Sequence, residues 1–177
     1  MKTLVLLSGG MDSVTALHWA ARNNDIAAAT ALRNRDQGDV NLTGLFLNCP
    51  MLDDRMTSPS SHQFDDTILW TRSMNEFGWQ SLLGRRWRTD DVTAYDAPAR
   101  AESLANLPPT FLEVGSADVF RDEDVDFAQR MWAAGGDVEL HVWPGAIHGF
   151  DVIAPKAAVS MEAVNARTNW VRRLLAR

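Results

Sequence analysis

Residues 108–150 read PPTFLEVGSADVFRDEDVDFAQRMWAAGGDVELHVWPGAIHGF. Thr110 to Val114 is a short apolar run with turn residues at both ends, the pattern of a buried strand. From Asp122 to Ala134 apolar residues recur at helical spacing, at Val125, Ala128, Met131 and Trp132. Acidic residues crowd the first turn, where they suit the positive end of the helix dipole, and Gly135-Gly136 stops the helix. Val138 to Trp143 alternates like a strand until Pro144-Gly145 breaks it. The stretch is thus one β-α-β unit, and two parallel strands joined by a helix bring their C-terminal ends to one edge of the sheet. In open α/β sheets that edge is where ligands bind. Here it carries Gly115-Ser116-Ala117-Asp118 and Pro144-Gly145-Ala146-Ile147-His148-Gly149.

An acid and a histidine at one edge suggest a relay, in which the carboxylate holds the imidazole tautomer and stabilises its cationic form. The plainer reading makes Asp118 a turn cap and His148 an ordinary loop histidine. The run from Gly115 to Glu123 (GSADVFRDE) and the run His148-Gly149-Phe150 resemble two segments of a known family. They are the catalytic-acid segment and the catalytic-histidine loop of the hormone-sensitive-lipase-like α/β-hydrolases, which are carboxylesterases. The resemblance implies Asp118 as acid, His148 as base and a small acyl ester as substrate. It covers about residues 26–154 and extends through the closing helix to 177.

Length and composition set the bounds. A chain of 177 residues fits one α/β domain with a sizeable core. Its hydrophobic share of 46% is ordinary for a globular chain, and a net charge of −6 gives no electrostatic case for nucleic acid or an anionic membrane. The single cysteine, Cys49, excludes an internal disulfide framework and a cysteine-rich zinc site. No cofactor and no metal are expected. No apolar run approaches the roughly 20 residues of a membrane span, and the first residues lack a signal region. A cytoplasmic location is expected.

The N-terminus reads differently from the rest. Leu4 to Leu7 is a strand candidate, followed by Ser8-Gly9-Gly10-Met11-Asp12-Ser13 and a helical pattern. A glycine-rich turn between strand and helix exposes backbone N–H groups at the positive helix end, a phosphate cradle formed by Ser8, Gly9, Gly10, Asp12 and Ser13. The string SGGMDS resembles the pyrophosphate loop of ATP pyrophosphatases, most closely the start of 7-cyano-7-deazaguanine synthase. That resemblance spans residues 1–22, and the synthase's zinc-binding cysteine cluster has no counterpart here. Ser13 to Gln37 keeps a helical period through Val14, Leu17, Ala21, Ala28, Ala31 and Leu32, interrupted at Asn23-Asn24-Asp25. Residues 1–25 therefore read as a strand, loop and helix grafted onto an esterase-like portion, residues 26–177.

Leu42 to Leu47 is another buried strand, running into Asn48-Cys49-Pro50. Arg55 through Ser61 reads as a polar loop, and Asp65 to Phe77 has helical spacing. Trp70, Trp79 and Trp87 either line an acyl pocket or pack in the core. Ala157 to Leu175 is an amphipathic closing helix with Val159, Ala163, Ala166, Trp170 and Leu174 on its apolar face and a basic end suited to the negative helix terminus.

An esterase serine sits on a sharp strand-turn-helix elbow written Gly-x-Ser-x-Gly. No such string occurs, nor does the His-Gly-Gly segment that supplies oxyanion-hole donors in the family. Ser13, after a strand and ahead of a helix, is either a makeshift nucleophile or the N-cap of its helix. The expected fold is α/β: a partial hydrolase-like, mainly parallel sheet of about four strands (3–7, 42–47, 110–114, 138–143) with helices on both faces. Residues 3–7 should pair parallel to 42–47. The open edge beyond them invites a homodimer. Three functions remain: an esterase-derived protein of weak or no activity, a nucleotide- or pyrophosphate-binding protein, and a non-catalytic chimeric fragment.

Overall fold

The computed structural model describes residues 3–8, 27–38, 41–64 and 69–176. Four strands, β1 (Thr3–Ser8), β2 (Leu42–Asn48), β3 (Thr110–Gly115) and β4 (Val138–Trp143), form one sheet in the order β1-β2-β3-β4. Every neighbouring pair is parallel, and the expected pairing of the first two strands holds, with Leu7 opposite Leu47 and Ser8 opposite Asn48. Buried parallel strands read as continuous apolar runs because both faces are covered. β2 shows this at Leu45, Phe46 and Leu47, at most 5% exposed.

The two faces have separate cores. Leu45, Leu47 and Leu112 pack against Ala27, Ala28, Ala31 and Leu32 of α1 (residues 27–37) and against Phe127 and Met131 of a later helix. On the other face Phe46 and Phe111 stack with ring centroids 5.2 Å apart beneath Trp170 and Leu174. Gly44 lets that closing helix approach, since a Cβ there would lie 2.5 Å from Leu174 Cδ2.

Between β2 and β3 the chain departs from the sequence expectation twice. The stretch read as a loop through Ser61 contains a helical turn, α2 (Ser60–Gln63). Both serines are fully buried because their hydroxyls donate to carbonyls, Ser60 to Val119 (2.8 Å) and Ser61 to Met56 (2.9 Å). The next helix, α3, spans Arg72–Leu83 instead of 65–77, and residues 65–68 lie outside the described residues. Thr71 sets its start by accepting from the Met74 N–H at 3.3 Å. It then runs through Gly78 to Gly84, whose φ of 56° favours glycine.

α4 (Arg121–Ala133) joins β3 to β4 as expected, but its buried face is turned. Phe127, Ala128 and Met131 are buried, whereas Trp132 is 45% exposed and donates from its indole to the Val138 carbonyl at 3.0 Å. Glu123 and Asp124 of the acidic first turn are buried rather than solvated. A short α5 (Phe150–Ile153) follows the His148 loop, and α6 (Ala158–Leu175) closes the domain. Among the described residues no helix is long and apolar enough to cross a membrane.

Candidate active site

Asp118 lies in the turn after β3 and His148 in the turn after β4. These turns are knitted together by main-chain contacts: Ser116 N–H donates to the Trp143 carbonyl (2.8 Å) and Ala117 N–H to the Ala146 carbonyl (2.9 Å). Ser116 Oγ accepts from the Gly145 N–H at 2.8 Å. Gly115 permits this approach, because a Cβ there would sit 2.2 Å from the Ala146 carbonyl oxygen.

Held this way, His148 Nδ1 stands 3.0 Å from Asp118 Oδ2. Both residues are buried, at 4% and 1% exposure. Asp118 Oδ1 accepts the Phe120 N–H at 3.1 Å, so both carboxylate oxygens have partners. A carboxylate only accepts, so Nδ1 donates and the lone pair falls on Nε2, the tautomer a general base needs. The imidazole is gripped by two rings, Trp70 tilted at 34° and Phe120 edge-on at 70°, each with its centroid 5.4 Å away. Trp70 is therefore neither a plain core residue nor only a pocket wall: it packs on the histidine.

A second layer lies beneath. Glu113 of β3 is fully buried and accepts the Trp143 indole N–H at 2.9 Å and the Nε of Arg167. Arg167 also pairs with Asp151, just past the His148 loop, at 2.6 Å. Burial raises the Glu113 carboxyl above its ordinary range, though the Arg167 charge pulls the other way.

The sequence reading missed one group altogether. Cys49, in the turn after β2, is 2% exposed, and its sulfur lies within 4.8 Å of ligating atoms of both Asp118 and His148. Its backbone is left-handed, φ 46°, a conformation costing a non-glycine residue about 1 kcal/mol. Burial pushes the Cys49 thiol well above its usual range, and the carboxylates of Asp118, Asp124 and Glu113 push the same way. Asp124 has no partner for either oxygen among the described residues, and burial raises it strongly, with Glu123 and Asp118 adding to the shift. Glu123 is raised by burial too, although one of its oxygens accepts the Leu52 N–H at 2.7 Å.

The remaining sequence candidates cluster at the N-terminus. Ser8 is the last residue of β1, so the chain leaves that strand at the edge that carries Cys49, Asp118 and His148. Gly9, Gly10, Asp12 and Ser13 lie outside the described residues.

A family model for the alpha/beta hydrolase fold matches residues 24–152, most of the chain and both members of the Asp118–His148 pair. The chain belongs to that family. Esterase LipI of Mycobacterium tuberculosis is 30% identical over 146 residues, 79% of this chain and 43% of LipI. Among solved structures, a bacterial heroin esterase superposes with a TM-score of 0.83 at 40% identity, covering 86% of this chain and 49% of that one. Esterase LipW from Mycobacterium marinum gives 0.81 at 27% identity, covering 92% and 55%. The chain thus spans about half the length of these relatives. The family match begins at residue 24, close to where the hydrolase-like reading of the sequence starts.

Proposed function

We propose that this chain carries the acid–base half of a carboxylic ester hydrolase site, with Asp118 orienting His148. The observation that carries the reading is the buried 3.0 Å contact between His148 Nδ1 and Asp118 Oδ2. It stands at the strand ends where the fold family does its chemistry. The named relatives are esterases, which supports a small carboxylic ester as substrate class. In this reading His148 Nε2 takes a proton from a hydroxyl and later returns it to the leaving alcohol. Ser13, in the segment leading from β1 into the first helix, is the candidate hydroxyl. Residues 1–25 then stand in for the hydrolase strand, turn and helix that bear the nucleophile.

The sequence carries neither the glycine-flanked elbow nor the His-Gly-Gly donors, and losing one oxyanion donor alone costs about a hundredfold to a thousandfold. Turnover should therefore be weak, at least about a thousandfold below the roughly 10 per second of an ordinary enzyme. Hydrolysis of a p-nitrophenyl ester tests this. The residual rate should fall with His148→Ala and with Ser13→Ala. Ordinary enzyme rates, or a rate indifferent to both variants, would overturn the proposal. The same reading has two copies pair across the edge of β1, beyond which no further strand lies among the described residues. A monomer at all concentrations in equilibrium sedimentation would sink that part.

A further inference from the structure

Three different ligand types converge behind the relay. The Cys49 sulfur, a carboxylate oxygen of Asp118 and an imidazole nitrogen of His148 all lie within 4.8 Å of one another, and all three residues are buried. Zinc bonds of about 2.3 Å to sulfur and about 2 Å to nitrogen and oxygen give tetrahedral edges of about 3.3 to 3.5 Å. The Asp118–His148 edge is 3.0 Å and needs to widen only slightly, and the thiol, within 4.8 Å of both partners, needs to close by at most about 1.5 Å. We infer that Cys49, Asp118 and His148 form a site for a borderline-soft divalent cation of the zinc class, whose occupation takes the acid–base pair out of its relay geometry.

The electrostatics favour it. A thiolate, a carboxylate and a neutral imidazole offset a dication without leaving net charge in the interior. Two further buried carboxyls lie on α4: Asp124 has no partner for either oxygen among the described residues, and Glu123 has one oxygen without a partner there. On binding, the thiol releases its proton to solvent and the metal–sulfur bond replaces it, with no change of oxidation state. Sulfur, nitrogen and a single oxygen select zinc, cobalt(II) or cadmium over magnesium and calcium. Three protein ligands leave one position for water.

Metal binding here does not depend on ester turnover, so an inactive dyad still binds and an active one without metal affinity still turns over. Cobalt(II) is the probe. Because the chain has one cysteine, any thiolate-to-cobalt charge-transfer absorption in the near ultraviolet must come from Cys49. The expected result is that band, its loss on adding zinc but not magnesium, and loss of the downfield proton resonance of the hydrogen-bonded His148 Nδ1–H. Cys49→Ser should abolish the band, and His148→Ala should weaken binding by at least about tenfold. Wild-type protein that takes up cobalt without the band has only adventitious carboxylate sites, and this result overturns the inference without any variant.

Discussion

Arg167 Nη1 donates to Asp151 Oδ2 across 2.6 Å, tying the closing helix to the turn that follows His148. The same guanidinium neutralises the buried Glu113. Removing one partner of a buried pair leaves an uncompensated charge, so Arg167→Met should cost about 3 kcal/mol in urea unfolding. Glu113→Gln in the same chain should recover most of that, since the amide can still accept from Trp143. Additive losses in the double variant would show that the two residues do not act as a pair.

Gly115→Ala should be more damaging than a surface glycine change. Its Cβ would meet the Ala146 carbonyl oxygen at 2.2 Å, and the atoms it meets are all main chain, which no rotamer change can move aside. The strands must part, at a cost of about 1–3 kcal/mol, and the Asp118–His148 contact should lengthen with them. An unchanged denaturation midpoint with the Nδ1–H resonance intact would contradict the close approach.

Asp124 gives a pH prediction. Its folded carboxyl is held well above the ordinary 3.8, so between those values the folded state holds a proton the unfolded chain has lost. Stability then falls as pH rises above 3.8, by about 1.4 kcal/mol per pH unit at most, until the folded value is passed. Asp124→Asn should show a flatter profile and be the more stable protein at pH 7. Parallel profiles for the two proteins would mean the carboxyl is solvated after all.

Much of this was readable from local pattern. The strands stood out because each is a short apolar run between turn residues. The Asp118–His148 pair was legible because a single β-α-β unit delivers both ends to one edge. Cys49 was not, because it arrives from a different strand, and nothing in Asn-Cys-Pro announces a left-handed residue. Trp70 was ambiguous for a similar reason: only the folded chain brings α3 and its preceding turn over the imidazole. The acidic turn of α4 misled in another way. Helix-dipole reasoning places such residues in water, whereas Glu123 is drawn inward by the Leu52 and Asp53 N–H groups. The burial of Asp124 has no compensating bond among the described residues.

Asn75 sits fully buried on α3 with neither amide atom partnered among the described residues. Asn75→Leu exchanges that desolvation cost for apolar contact and should raise stability by about 1 kcal/mol. A drop in melting temperature would show that the amide has a partner, such as a buried water.

Deleting residues 1–10 should leave a molten or insoluble chain. β1 pairs with β2 along its length, and its loss opens the main chain of Leu45, Phe46 and Leu47. A deletion that still unfolds cooperatively would show the segment to be dispensable.

Each strand lies beside the one that precedes it in the chain, from β1 through β4. On a ribosome the strands would emerge in the order in which they lie side by side. Among the described residues each strand after β1 lies against the one made before it, and none of the four is inserted between two made earlier. The histidine is made after all four strands, so its meeting with the aspartate comes late. An error in any earlier strand would therefore be met before there is a site to spoil.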